Sequence, residues 1–341
     1  MLAPAGRGSE GRSSIPDNPA LTVSQGDPGM SSIAASSPLA HKDSVWRRMV
    51  KRRECYLLLV PTFALLGIFN YYPAASAIYH SFFNWNGANV QLFNGFANFT
   101  DLFSNDDFLF SLVNVLKITI VSILISITFP LLAAVLIYRL RADRAAYVYK
   151  VLYVIPLVVP SVVIFLIWKF IYSPTDGILN MLFNGMGLKG LTRTWLGEYS
   201  TALYAILFVG FPWVSGFQTL IYLAGLQNIS VSITEAATLD GTGSLRRFFS
   251  IELPLIASQV KLILILGMIN AIQSFVSILI MTNGGPGKAT MVPGLYLYRN
   301  AMQYGKMGYA CSIGTLLFVV ILILTYINLK YMKSNTDAMG G

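Results

Sequence analysis

The chain has 341 residues, of which 55% are hydrophobic and only 11% charged, and its formal net charge is +9. A soluble domain carries roughly a quarter of its residues as charges, so this composition excludes an ordinary soluble protein. The two histidines and two cysteines are solitary, which leaves no visible metal site.

Residues 1–45 are rich in Ser, Gly, Pro and Ala and hold no apolar run, which predicts a disordered tail without a function of its own. They lack the apolar core of a signal peptide, and Met30 offers an alternative start. From 46 to 334 the apolar residues come in blocks, at about 56–82, 112–138, 147–172, 199–225, 258–281 and 310–329. Each block is long enough to cross a hydrocarbon layer of about 30 Å. The expected fold is therefore all-α and integral to the membrane, with six transmembrane helices, a polar loop at 226–257 and a short tail at 335–341. In the fourth block Gly210, Pro212 and Gly216 predict a kink.

Lys and Arg give the orientation. One side receives fourteen, including Arg47, Arg139, Arg246 and Lys330, and the other receives seven, including Lys117, Lys288 and Arg299. The richer side is expected to be cytoplasmic, with both termini and the 226–257 loop. The positive charge reflects this asymmetry and does not point to nucleic acid. Cys55 and Cys311 fall at opposite ends of their spans, too far apart for a disulfide.

Two negatives narrow the chemistry. Gly284–Thr290 looks phosphate-binding, but Thr282 and Ala289 stand where a P-loop needs Gly and Ser or Thr. None of the fifteen Asp and Glu residues falls inside an apolar block. Ion-coupled carriers depend on buried carboxylates, so their absence from the blocks weighs against that class of protein.

The polar loop carries the most specific pattern. Glu235, Ala236, Ala237 and Gly241 are followed at fixed spacing by Ile251, Leu253 and Pro254. This resembles the EAA signature of permease subunits in bacterial ATP-binding-cassette importers. Leu59-Val60-Pro61, Tyr72-Pro73, the run Ser81 to Gly87, the run Asn98 to Phe103 and Thr282 to Pro286 resemble the carbohydrate-uptake group, of maltose and glycerol-phosphate type. Ser230 and Thr242 depart from that pattern, where many members have Pro and Ala.

The resemblance implies a cell-membrane permease that takes up a sugar or oligosaccharide. It also implies a second homologous permease, an ATPase dimer that binds ATP and Mg, and an extracytoplasmic solute-binding protein. This chain then binds no cofactor and catalyses no reaction. The loop is expected to form a helix over 232–239, a turn at Asp240-Gly241 and a second helix over 244–249, with Phe248 and Phe249 as apolar anchors. Glu235 either faces a basic residue of the ATPase or closes a capping box with Ser232. Candidate pathway residues are Asn270, Gln273, Ser274 and Ser277 on one face of the fifth span. Trp213, Ser215, Gln218 and Tyr222 on the fourth complete the set. Helix packing is the competing role for all eight. An ion-coupled secondary carrier and a membrane-embedded enzyme for glycans or lipids remain the alternative functions.

Overall fold

The computed structural model describes residues 53–331. The expected tails at 1–45 and 335–341 lie outside the described residues. Contacts divide the chain into residues 1–60 and 61–341; of the first unit only residues 53–60 are described.

The first helix, α1 (Arg53–Leu66), runs through a π-helical turn at Gly67–Tyr71 into α2 (Tyr72–His80). Pro73 falls in the first turn of α2, where a missing N–H costs little. A hairpin follows: β1 (Phe83–Trp85) pairs antiparallel with β2 (Gln91–Phe93), with Trp85 opposite Gln91. The short helix α3 (Ala97–Phe103) leads to Asn105, whose Oδ1 accepts from the Asp107 and Phe108 backbone N–H groups at 3.0 and 3.1 Å. That cap, with Asp106 and Asp107 at the positive end of the helix, starts α4 (Asp106–Tyr138).

At 33 residues α4 is about 50 Å long and forms the axis of the fold. Against it pack α9 (Gly216–Gln227) and α13 (Ala257–Gln273). Leu131, Ala134, Leu223, Leu226, Ile256 and Ile263 form their shared core. At Gly225 an added Cβ would come within 2.8 Å of Gln259 Cδ, so α9 and α13 approach closely there. The last helix, α16 (Met307–Tyr331), joins through Ile313 and Leu317, which meet Leu102, Phe108 and Ile272.

The third and fourth expected spans are not continuous helices. The block at 147–172 is α5 (Asp143–Val154), a 3₁₀ turn at Ile155–Val158 and α6 (Ser161–Ile171), with a 90° bend. Pro160 forces Val159 into an extended backbone, which ends the helix before it. The helix α7 (Ile178–Gly185) follows, and then the block at 199–225 divides into α8 (Ala202–Phe208) and α9. Between them Gly210 and Trp213 adopt φ of +83° and +57°. The expected kink is a full interruption. Gly216 lies beyond it and serves packing, since a Cβ there would overlap the Tyr153 carbonyl oxygen.

By length and composition the described residues hold four helices able to cross a membrane, or five with the bent pair counted as one. The seven-residue α8 is too short to cross alone.

Candidate functional site

The 226–257 segment folds as two short helices and a tight turn. Helix α10 (Val231–Leu239) starts at Ser230, whose hydroxyl lies 2.7 Å from that of Ser232. With Ser230 as the N-cap, Ser232 lies within the helix and the expected Ser232–Glu235 capping box does not form. Glu235 is exposed and has no hydrogen-bonding partner among the described residues. Beside it Ala236 is exposed, while Ala237 is buried against the fold.

The turn after α10 is a Schellman motif. The Gly241 N–H donates to the Thr238 carbonyl at 3.1 Å and the Thr242 N–H to that of Ala237 at 3.0 Å. Gly241 has φ +67° and nothing within 4 Å of where a Cβ would stand. Its requirement is therefore backbone conformation and not space. Helix α11 (Ser244–Arg247) follows and passes through a π turn at Phe248–Glu252 into α12 (Leu253–Leu255).

The loop presents an apolar surface, with Leu239 at 88%, Leu245 at 75% and Phe249 at 61% exposure. Thr234, Glu235, Thr238, Leu239 and Arg247 line a shallow groove of about 410 Å³. Phe248 departs from the expected pair of anchors. It turns inward and packs with Leu253 against the core formed by α4, α9 and α13. Ile251 is half-buried, and Pro254 occupies the first turn of α12, where the missing N–H is tolerated.

Glu252 fixes this loop to the body of the protein, and sequence reasoning passed over it. Its side chain is fully buried, 3.1 Å from Arg139 Nη2 and 2.9 Å from Arg247 Nε. Arg139 follows the last residue of α4 and also donates to the Ser244 hydroxyl and carbonyl at 3.0 and 3.2 Å. One carboxylate thus ties α11 and α12 to the end of the longest helix. The available signal was an acid at the variable position of Ile-x-Leu-Pro, five residues after Arg247.

The candidate pathway residues divide into two groups. Gln218 Nε2 donates to Ser126 Oγ at 3.2 Å and the Tyr222 hydroxyl donates to the Ser126 carbonyl at 3.4 Å. Pro130 explains the second bond: without an N–H it cannot serve the carbonyl four residues earlier, and Tyr222 supplies the missing donor. Tyr222 is fully buried, so in this conformation it belongs to the core and not to a cavity wall. Ser215 caps α9, and its carbonyl accepts from the Thr219 hydroxyl at 2.7 Å. Trp213 donates from Nε1 to the Leu207 carbonyl at 3.1 Å and packs its ring on Phe129, Phe208 and Phe211.

The second group lies where α13 ends. Asn270, Gln273 and Ser274 are exposed, in an otherwise apolar segment. Their expected face does not continue to Ser277, because Ser274 is extended at ψ 125° and α14 (Val276–Met281) begins afresh. Ser277 is half-buried.

The 282–292 segment is held by side chains that sequence reasoning also missed. Buried Asn114 donates from Nδ2 to the carbonyls of Lys288, Ala289 and Met291 at 3.3, 3.1 and 2.9 Å. Lys288 pairs with Asp107, which raises the lysine pKa above its usual value. Arg299 donates to the Asn283 carbonyl at 2.5 Å. These contacts pin the Gly284–Thr290 segment as a structural turn.

Residues 126–334 match the family model described as binding-protein-dependent transport system inner membrane component. The chain belongs to this family. It is a permease, a transport subunit and not an enzyme, and family membership excludes the carrier and membrane-enzyme alternatives. A probable ABC transporter permease protein, YurN of Bacillus subtilis, is 32% identical over 83% of this chain and 97% of its own. The diacetylchitobiose uptake system permease protein NgcF of Streptomyces coelicolor is 34% identical over 76% of each chain. The sulfoquinovosyl glycerol transport system permease protein SmoG of Agrobacterium fabrum is 30% identical over 85% of this chain and 93% of its own. Among solved structures, a bacterial alginate ABC transporter bound to a periplasmic protein carrying alginate pentasaccharide superposes with a TM-score of 0.73 at 22% identity. That match covers 83% of this chain and 95% of the other. At that identity the likeness establishes the fold alone.

Proposed function

We propose that this permease forms half of the pathway of an ATP-driven importer for a sugar or oligosaccharide, and that its 226–257 loop couples the pathway to a cytoplasmic ATPase dimer. The observation that carries the reading is the loop itself. Glu235, Leu239, Leu245 and Phe249 are offered outward, while Glu252 anchors the same segment to the end of α4. Movement of a docked partner therefore reaches the central helix through a short, charged linkage.

Residues 46–334 make the permease domain in this reading. Six crossings follow if α5 with α6, and α8 with α9, each count as one interrupted crossing. Both termini and the loop are then cytoplasmic, as the bias of Lys and Arg supports. A second, homologous permease completes the pathway, and an extracytoplasmic solute-binding protein delivers the ligand. ATP and Mg bind in the ATPase. Glu235 meets a basic residue of the ATPase cleft, and Ala236 adds little bulk to keep that cleft away.

Sugars suit the neutral groups at the helix breaks. Asn270, Gln273, Ser274 and Gln218 offer hydroxyl partners without charge, and Trp213 offers an aromatic edge. The names of two relatives, for diacetylchitobiose uptake and sulfoquinovosyl glycerol transport, point to the same class. The test is uptake of labelled saccharides by cells with and without this chain. Saccharide uptake that needs the chain and an active ATPase supports the reading; uptake indifferent to both contradicts it.

A further inference from the structure

At the end of the protein that carries the hairpin lies a polar cavity whose lining includes none of the candidate pathway residues. It measures about 360 Å³ and is bounded by β1, Asn94 just after β2, α3, α15 (Pro293–Tyr298), the π-helical turn at Arg299–Gln303 and the start of α16. We infer that this cavity is a binding subsite for an uncharged polyhydroxylated ligand, a saccharide ring. The ligand class follows from the lining; its position on the outer face rests on the orientation proposed above.

Carboxamides dominate the wall. Asn98 is already fully engaged: its Nδ2 donates to the Ser81 and Phe83 carbonyls at 2.8 and 3.0 Å, and its Oδ1 accepts from Asn94 Nδ2 at 3.1 Å. That bond leaves Asn94 Oδ1 buried with no partner among the described residues. Its accessible surface is nearly nil, so this acceptor meets a ligand only when the Asn94 amide turns toward the cavity, where a donor would relieve the cost of its burial. Asn84 adds a carboxamide whose side chain makes no hydrogen bond among the described residues. One acid, Asp101, and one base, Lys306, balance each other, so the lining selects neither an anion nor a cation.

The aromatic groups supply the remaining half of sugar recognition. Trp85 lines the cavity and is braced on one face by His80, with ring centroids 4.0 Å apart and planes at 27°. Tyr296 and Tyr309 stand in the same wall, 6.4 Å apart and edge to face. Rings held this way stack on the C–H faces of a pyranose, while amides serve its hydroxyls. The hairpin is held in place, since a Cβ at Gly308 would overlap the Phe83 carbonyl oxygen.

The test is saturation-transfer NMR on the full-length chain, co-expressed with its partners and reconstituted in nanodiscs. The probes are maltose, cellobiose and diacetylchitobiose. An Asn84→Ala, Asp101→Ala variant alters two exposed cavity residues; a Lys189→Ala variant alters an exposed residue outside both the cavity and the pathway set. The expected result is saccharide signal that falls by about tenfold in the first variant and persists in the second. Absence of signal from all three probes, or a signal that survives the first variant, overturns the subsite. Co-purification of the ATPase, measured on the same samples, separates the two readings. Its retention leaves the importer reading standing when the subsite fails, and its loss counts against that reading alone.

Discussion

Arg139 and Glu252 meet at 3.1 Å with the carboxylate fully buried, although 113 residues separate them in sequence. Arg247 closes on the same carboxylate from the other side. Two positive groups around one acid hold the 226–257 loop against the longest helix among the described residues. Glu252→Ala leaves both guanidinium groups without their counter-charge, at a cost of ~3–5 kcal/mol for a partly buried cluster. The expected outcome is a lower melting temperature and ATP hydrolysis uncoupled from uptake. An unchanged melting temperature would show that the cluster does not hold the loop.

Gly241 gives a graded test of the turn. Its φ of +67° suits Gly, and Asn adopts such angles more readily than β-branched residues. Gly241→Asn should be mild, whereas Gly241→Val strains the turn by ~1–2 kcal/mol or more. Membrane insertion should persist in both, and coupling or assembly should fail in the second. Normal transport by the Val variant would count strongly against the docking role.

The bond from Tyr222 to the Ser126 carbonyl predicts a specific coupling with Pro130. Tyr222→Phe should cost ~1–3 kcal/mol, because the carbonyl that Pro130 leaves without a helical donor becomes unpaired. Pro130→Ala restores that donor, so the Phe substitution should cost much less in its presence. A double-mutant cycle on thermal unfolding measures the difference. Additive effects would mean that the two residues act independently.

Asn270→Ala with Gln273→Ala should alter saccharide uptake while ATPase co-purification stays intact. Both side chains are exposed on this chain, so little of its own packing depends on them. Unaltered uptake returns the pair to a packing role between the permease subunits.

Apolar blocks, helix termini and the turn at Gly241 were readable from the sequence because each depends on neighbouring residues. Gly241 is the clearest case, since its turn is closed by backbone bonds within five residues. The interruptions of the third and fourth blocks were harder, because mean hydropathy does not change where Pro160 or Gly210 breaks the helix. Tyr222 showed the limit of periodicity: it shares a face with Gln218, yet long-range packing buries one and leaves the other partly open. Glu252, Ser126 and Asn114 were missed for the same reason. Their long-range partners lie 92 to 177 residues away, and no local pattern announces them.

The central claim is that the 226–257 loop docks the ATPase. A pull-down from native membranes with the tagged chain, beside a Glu235→Ala, Gly241→Pro variant, tests it most directly. The account predicts that an ATPase co-purifies with the native chain and is lost from the variant, which still inserts in the membrane. Equal recovery from both, or no ATPase with the native chain, would contradict it.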